Sequence, residues 1–220
     1  MPDGARRDVA ALAEAHGVVV VEDESLADLS FGPEPPPPIA AFSPRAPVLT
    51  VGSLSKPFWG GLRVGWLRGP RPLVARLTRF KVAADLSGSL LGQVLATRLM
   101  ARREEIARRR RRESRRRFET LTRLLRESLP EWSWTEPAGG LTLWVRLPSP
   151  SADELARTGL LHGVSIVPGQ VHSASHSFPD RLRLPFVLDE GPMSEGIARL
   201  ARAWQACRHP ASERRLGVIV

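Results

Sequence analysis

Two short apolar runs, each ended by a cluster of polar residues, constrain the fold of this chain more than any other feature. The first run, four valines at residues 18–21, follows a helix-like segment at residues 5–16 and ends in three acidic residues at 22–24. The second run, at residues 47–51, ends in a polar turn at residues 52–56. Such runs are typical of strands that are buried on both faces. Alternation of helices and strands favours an α/β fold with a mainly parallel sheet, in which ligands bind beyond the carboxyl ends of the strands.

The middle of the chain is predicted to be helical. A third apolar run at residues 63–67 precedes it, and leucines at helical spacing then continue until Pro130 ends the pattern. Residues 102–117 contain ten arginines and three glutamates, and no large apolar side chain stands between Ile106 and Phe118. We expect this stretch to be a solvent-exposed part of a long helix. We do not expect it to read DNA sequence, because no aromatic or amide side chain accompanies the arginines.

The last third of the chain changes to a mixture of strands and helices, which predicts a second, smaller α/β domain. Its predicted strands lie at residues 132–134, 141–147, 164–167 and 182–186, and its predicted helices at residues 152–161 and 193–206.

Composition excludes several classes of protein. The single cysteine, Cys207, excludes a disulfide framework, and His172 and His176 are predicted to lie in a loop, so no metal site is expected. No apolar segment is long enough to span a bilayer, and the first 15 residues lack the apolar core of a signal peptide, so a cytoplasmic location is expected. The net charge of +9 rests on thirty arginines and two lysines, a bias that we attribute to base composition rather than to nucleic-acid binding.

Lys56 is one of only two lysines, and it directly follows the second predicted strand in the sequence Ser-Leu-Ser-Lys-Pro at residues 53–57. One interpretation is an ordinary surface lysine in a loop. The other is an amine that is held where ligands bind and is suited to Schiff-base chemistry. Arg63 follows seven residues later. Together with Ser53 and Ser55, its guanidinium is suited to binding a phosphate group.

Asp23 also has two interpretations. A carboxylate at the end of a buried strand is costly unless it is paired, so Asp23 is either a cap or turn residue or an acceptor for a ligand. A protonated ring nitrogen is one such ligand group, because an adjacent carboxylate lets a pyridinium ring withdraw electrons.

The residues that carry these two interpretations resemble a known family. The sequences Val-Val-Val-Val-Glu-Asp-Glu-Ser at residues 18–25 and Val-Gly-Ser-Leu-Ser-Lys-Pro-Phe-Trp-Gly-Gly-Leu-Arg at residues 51–63 resemble the fold-type I pyridoxal-phosphate aminotransferases of class I and II. The chain is most similar to the aminotransferase-like domain of the MocR subgroup of GntR transcription regulators. The resemblance covers residues 1–206 and continues in Pro-Ala-Gly-Gly-Leu-Thr-Leu-Trp at residues 137–144 and Leu-Arg-Leu-Pro-Phe at residues 182–186.

The resemblance implies a role for each matching residue. Lys56 matches the lysine that joins the cofactor as an internal aldimine, and Asp23 matches the partner of the pyridine nitrogen. Arg183 matches the arginine that binds the α-carboxylate of an amino-acid substrate, a bidentate role in which lysine is a poor substitute.

The phosphate site and one departure from the family follow from the same resemblance. Ser53, Ser55 and Arg63 match the residues that bind the cofactor phosphate. Ser25 stands where the family usually has a tyrosine that hydrogen-bonds to the phenolic oxygen of the cofactor, which predicts slow transamination.

The resemblance also implies a division of the chain. Residues 1–101 match the C-terminal part of the large cofactor-binding domain, residues 102–129 a long interdomain helix, residues 130–207 the small C-terminal domain, and residues 208–220 a tail. The first residues resemble the stretch just after the Asn-Pro-x-Gly segment of the family. We therefore expect the glycine loop, the aromatic residue that stacks on the ring and any winged helix-turn-helix to lie outside this sequence.

The sequence leaves three functions open. The chain is part of an aminotransferase, or part of a regulator in which the cofactor binds an effector amino acid or amine, or an inactive fragment. A homodimer is expected for the complete protein, and any DNA contact is expected to belong to the absent N-terminal domain.

Overall fold

The computed structural model describes residues 1–32, 34–149 and 152–208, and its helices and strands fall into two units. The first unit comprises Met1–Arg112 and Ala138–Gly140. The second comprises Glu113–Pro137 and the described residues from Leu141 onwards. Each unit contains its own β-sheet.

The first unit is built on a three-stranded sheet of β1 (Val20–Asp23), β2 (Val48–Ser53) and β3 (Gly65–Arg68), in that order. β1 runs parallel to β2, and β2 runs antiparallel to β3. Gly17 ends the first helix in the left-handed conformation (φ 63°), which glycine adopts without steric cost. The elements of this unit are α1 (Asp3–His16), β1 (Val20–Asp23), β2 (Val48–Ser53), β3 (Gly65–Arg68), α2 (Arg71–Asp85), α3 (Leu90–Met100) and the beginning of α4 (Arg103–Ser128).

Within the described residues, β1 is covered on one face of this sheet only. On the covered face, Ala10 and Ala13 of α1 pack with Ile39, Ala46 and Val48. On the opposite face, Val21 is 66% exposed. The prediction that the valine run is buried on both faces was therefore wrong for β1, because one side of the strand has no covering element among the described residues.

A second apolar cluster of the first unit lies where β2 ends. Leu54, Phe58 and Leu62 pack there with Ala96 of α3. The chain between β2 and β3 is thus fixed by its own buried side chains, although it is not a regular strand or long helix. By contrast, α2 buries none of its residues, and the outward sides of α2 and α3 are apolar.

The second unit has a four-stranded sheet, and all its strand pairs are antiparallel. The strands follow one another across the sheet in the order β4 (Ser133–Trp134), β5 (Thr142–Arg146), β7 (Arg181–Pro185) and β6 (Val167–Pro168). One face of the sheet carries fully buried side chains, including Leu143, Val145 and Leu182. Helix α5 packs against α6, and the Trp132 and Trp204 rings meet edge to face at 5.4 Å. The elements that follow α4 are β4 (Ser133–Trp134), β5 (Thr142–Arg146), α5 (Ala152–Leu161), β6 (Val167–Pro168), β7 (Arg181–Pro185) and α6 (Glu190–Arg208).

In the second unit, the sequence predictions agree with the structure most closely at α5, whose bounds are those predicted. The predicted tail at residues 208–220 lies outside the described residues except for Arg208. Within the described part of the chain, no helix combines the length and the apolar composition that crossing a bilayer requires.

Candidate cofactor site

The carboxyl ends of β1 and β2 lie at the same edge of the first sheet because the two strands are parallel. Asp23, the last residue of β1, pairs with Val51, and Ser53, the last residue of β2, lies two positions further on. Side chains two positions apart in a strand share a face, so Asp23, Val51 and Ser53 all lie on the open face of the sheet. This sheet edge is where the polar clusters of the sequence predicted a ligand.

The Asp23 carboxylate is exposed and held by its own turn. The Ser25 N–H donates a hydrogen bond to Asp23 Oδ1 at 2.8 Å. This bond lowers the pKa of the Asp23 carboxyl below its usual value, with a smaller contribution from the Ser25 side chain. Asp23 is therefore negatively charged at neutral pH, and it makes no ion pair within the described residues.

Glu22 has the opposite environment, although it is the neighbour of Asp23. It points to the covered face, where it is buried and pairs with Arg6 at 2.6 Å. Its second oxygen accepts a hydrogen bond from the Ile39 N–H at 2.9 Å. The acidic cluster of the sequence thus contains one residue that ties α1 and the 39–41 turn to the sheet and one residue that is available to a ligand.

Lys56 stands in a tight turn that begins where β2 ends. Phe58 N–H donates to the Leu54 carbonyl at 3.2 Å, which closes one helical turn around Lys56. Leu54 and Phe58 are buried, whereas Lys56 is exposed. The buried neighbours therefore anchor the turn while the Lys56 amine points away from the core.

Arg110 of α4 donates hydrogen bonds to two backbone carbonyls of this turn. Its Nε donates to the Pro57 carbonyl at 3.1 Å, and its Nη2 donates to the Phe58 carbonyl at 2.9 Å. Arg103 of the same helix pairs with Asp28 at 2.8 Å. The prediction that residues 102–117 form a solvent-exposed stretch was thus wrong for the half-buried Arg110 and for Ala107 and Ser114, which are buried. It holds for the exposed Arg109 and Arg112.

The serines and Arg63 are brought next to the Lys56 turn by a backbone hydrogen bond. Leu54 N–H donates to the Val64 carbonyl at 3.0 Å, and Ser53 pairs with Gly65 across the sheet. The Ser55 N–H donates to Ser53 Oγ at 3.2 Å, so the two serines share one turn.

Arg63 precedes Val64 in the chain and is exposed. It adopts the left-handed conformation (φ 50°) and makes no hydrogen bond or ion pair within the described residues. Arg63 lines a cavity of about 640 Å³ together with Trp66, Lys81 and Ser89. An unpaired guanidinium in an uncommon backbone conformation is a frequent feature of ligand sites.

Arg183 belongs to the second unit. It lies in the middle of β7, where it pairs with Trp144 of β5 and Val167 of β6. It is exposed on the face opposite the buried leucines. Trp144 meets the Phe178 ring edge to face at 5.8 Å, so an aromatic pair lies beside Arg183 in the strand register.

The structure therefore brings together five of the predicted site residues in one unit: Asp23, Ser53, Ser55, Lys56 and Arg63. Ser25 joins them through its bond to Asp23. This donor set can hold a phosphorylated carbonyl compound with a basic ring nitrogen, because it offers an amine, a guanidinium with hydroxyls, and a carboxylate. Sequence reasoning missed Arg110, since nothing in its residue type distinguishes it from the neighbouring arginines.

Comparisons with known proteins agree with this assignment. The family model described as "Aminotransferase class I and II" matches residues 4–200. The 2-aminoadipate transaminase of Thermus thermophilus is 33% identical over 92% of this chain and 53% of its own length. The HTH-type transcriptional regulator TauR of Rhodobacter capsulatus is 28% identical over 92% of this chain and 43% of its own length.

A solved aminotransferase structure also matches this chain. The crystal structure of LysN, an α-aminoadipate aminotransferase of Thermus thermophilus complexed with N-(5'-phosphopyridoxyl)-L-leucine, matches with a TM-score of 0.89 at 31% identity. The match covers 95% of this chain and 56% of the LysN chain, and the chain spans about half the length of the curated aminotransferases it matches. The predicted resemblance, both to aminotransferases and to helix-turn-helix regulators, is thus confirmed. The chain belongs to the class I and II aminotransferase family, whose cofactor is pyridoxal 5'-phosphate.

Proposed function

We propose that this chain binds pyridoxal phosphate covalently at Lys56 and contributes to a site that acts on an amino acid. The observation that carries the proposal is the bond from Leu54 N–H to the Val64 carbonyl, because it joins the Lys56 turn to Arg63. The family membership supports the same assignment.

Each residue has a defined task in this proposal. Ser53, Ser55 and Arg63 would hold the phosphate through hydroxyls and a guanidinium. The bound cofactor would supply an aldehyde that condenses with amines and a ring that withdraws electrons. Asp23 would hold a proton on the ring nitrogen, since its carboxylate is ionised and has no cationic partner among the described residues.

The remaining tasks concern the amino acid. Arg183 would bind its α-carboxylate by two parallel hydrogen bonds, a geometry that suits a guanidinium. The Lys56 amine would then move the proton at the α-carbon, acting as a general base.

Attachment at Lys56 can be tested directly because the chain has only two lysines. Borohydride reduction in the presence of pyridoxal phosphate, followed by peptide mapping, should label the Lys56 peptide. Lys56→Ala should lose the label, and Lys81→Arg should keep it. Lys81 pairs with Asp85 at 2.7 Å and serves as the matched control. Label on Lys81 or on the N-terminal amine instead would contradict the proposal.

A second candidate is an effector-binding domain of a GntR-type regulator. It is favoured by the regulators among the relatives and by Ser25, which stands where the aminotransferase pattern has a tyrosine. The two candidates differ in turnover. An amino acid that perturbs the absorption of the bound cofactor without release of a 2-oxo acid would favour the regulator, whereas stoichiometric 2-oxo acid would favour the enzyme.

We also propose a homodimer and a cytoplasmic location. The outward surface of α2 and α3 supports the dimer, because Leu86, Leu90 and Leu91 are each at least 75% exposed. Several large apolar side chains exposed within a short segment are typical of association sites. Sedimentation velocity should show concentration-dependent self-association, and Leu90→Ser combined with Leu91→Ser should weaken it.

A further inference from the structure

Two arginines of α4 bind the two turns that carry the proposed cofactor residues. Arg103 binds both carboxylate oxygens of Asp28, through Nη2 to Oδ1 at 2.8 Å and through Nε to Oδ2 at 3.0 Å. Arg110 donates to two backbone carbonyls of the Lys56 turn. The two arginines are seven positions apart, so they lie on nearly the same side of a helix that has 3.6 residues per turn.

The turn that Arg103 binds also carries the Asp23 carboxylate. It comprises residues 23–29 at the end of β1, and we call it the Asp23 turn. The Ala27 N–H donates to the Glu24 carbonyl at 3.0 Å within this turn, and the Ser25 N–H donates to Asp23 Oδ1 at 2.8 Å. A displacement of the turn therefore moves the N–H group that holds the Asp23 carboxylate.

The part of α4 between the two arginines is packed against the first unit. Ala107 is only 3% exposed, and Ile106 packs against the apolar cluster at the end of β2. Because an α-helix rises 1.5 Å per residue, the seven positions between Arg103 and Arg110 correspond to about 10 Å along the helix axis. The helix thus links the Asp23 turn and the Lys56 turn at a constant spacing.

This spacing matters for the proposed cofactor. The aldehyde and the ring nitrogen of pyridoxal phosphate lie at opposite positions of one ring, so Lys56 and Asp23 have to match the length of a single molecule. The sheet fixes Asp23 through its pairing with Val51, whereas Lys56 lies beyond the end of β2. Groups that act on one bound molecule have to be held within about 0.5 Å of the productive geometry by the residues around them.

We propose that Arg103 and Arg110 are positioning residues, and that α4 sets the spacing between the Asp23 turn and the Lys56 turn. Neither guanidinium contacts the cofactor in this proposal, because each acts through the turn that it binds. The inference rests on the proposed function for the role of the two turns, but its first test needs no cofactor.

The first test is an NMR titration of the Asp23 carboxyl in the full chain without cofactor. The Ser25 N–H lowers the pKa of this carboxyl. Arg103→Gln should therefore raise the Asp23 pKa, and the Ser25 amide should exchange its proton about five- to tenfold faster. Asp28→Ala is the more decisive variant, because it removes a negative charge together with the anchor. Loss of the charge alone would lower the Asp23 pKa, whereas loss of the anchor should raise it.

Arg102→Gln is the matched control for this test. It removes a positive charge next to Arg103, but Arg102 pairs with Glu105, three positions further along the chain, at 2.7 Å. The Asp23 pKa and the exchange rate of the Ser25 amide should stay as they are in the original chain.

The second test measures cofactor attachment, as the concentration of pyridoxal phosphate that gives half of the maximal borohydride label on Lys56. Arg103→Gln and Arg110→Gln should each raise this concentration about two- to tenfold, because ordering a loosened turn on binding costs free energy. The double variant should require no more than about twice the concentration that the weaker single variant requires, since the spacing is lost once either arginine is replaced.

Three outcomes would overturn the proposal. They are an Asp23 pKa that is unchanged in both Arg103→Gln and Asp28→Ala, a lowered Asp23 pKa in Asp28→Ala, and effects on labelling that multiply in the double variant. In the last case each arginine would support only its own turn. If the original chain takes no label on Lys56, the proposed function fails, and the titration of Asp23 still decides the role of Arg103. Circular dichroism of each variant separates displacement of a turn from loss of folding.

Discussion

Replacing Arg110 with glutamine should loosen the turn that carries Lys56. Arg110 donates to the Pro57 and Phe58 carbonyls at 3.1 and 2.9 Å, and these two bonds link α4 to the turn. A hydrogen bond from a charged donor contributes about 1.5–3 kcal/mol when buried. Arg110 is half-buried, so solvent can replace part of that contribution. We expect a net loss of about 1–2 kcal/mol of unfolding free energy.

Two measurements check this prediction. The urea midpoint should fall by about 0.5–1 M for a typical dependence of stability on urea. The Phe58 amide, which donates to the Leu54 carbonyl, should exchange its proton about five- to tenfold faster, because the loss is local to the turn. Arg109→Gln is the matched control, since Arg109 is exposed and makes no hydrogen bond within the described residues. Equal midpoints for the two variants, together with unchanged Phe58 exchange, would refute this account of the turn.

Three further predictions concern substitutions or titrations of charged side chains. Glu22→Gln should lower the free energy of unfolding, measured with urea, by about 3 kcal/mol or more, because it leaves the Arg6 guanidinium buried without its counter-charge. Breaking the exposed pair of Arg45 and Glu14 should lower it by less than about 1 kcal/mol. The folded-state pKa of Asp23 is lowered, so its contribution to stability is present above its unfolded pKa of about 3.9 and is lost as pH falls through the folded pKa. Asp23→Asn should therefore lose less stability than the original chain between about pH 5 and pH 3 in acid titrations followed by fluorescence. In gel shifts against DNA duplexes of unrelated sequence, the chain should bind either no duplex or all duplexes equally, with an affinity that falls steeply as the salt concentration rises. A sequence preference that survives physiological salt and disappears on charge reversal of residues 108–112 would contradict this prediction.

Local signals made part of the fold predictable. The helix at Ala152–Leu161 and the strand that precedes Lys56 have clear periodicity and clear ends, so their places agree with the sequence prediction. The roles of Lys56, Ser53 and Arg63 remain proposals. The structure places these residues in adjacent turns because a short motif fixes its own local geometry.

Features that depend on tertiary packing were not predictable. A run of four valines has no alternation, so nothing in residues 18–21 indicates which side of β1 is covered. Arg110 differs from Arg109 only in its rotational position on α4. That position matters because it directs Arg110 towards the Lys56 turn, and the sequence does not show where this turn lies relative to α4.

The pair Glu22 and Asp23 shows how strand geometry assigns different chemistry to adjacent residues of similar type. Successive side chains of a strand point to opposite faces, so only one of two neighbouring carboxylates can face the covered side. Glu22 faces that side, where a cation and a backbone N–H satisfy it. Asp23 faces the open side, where the Ser25 N–H keeps it ionised and no described cation pairs with it. A buried acid with both oxygens satisfied stabilises the fold, whereas an ionised acid without a counter-charge remains free to bind a cation. The protonated ring nitrogen of pyridoxal phosphate is such a cation, so the open face of β1 is the side on which the proposed cofactor would bind.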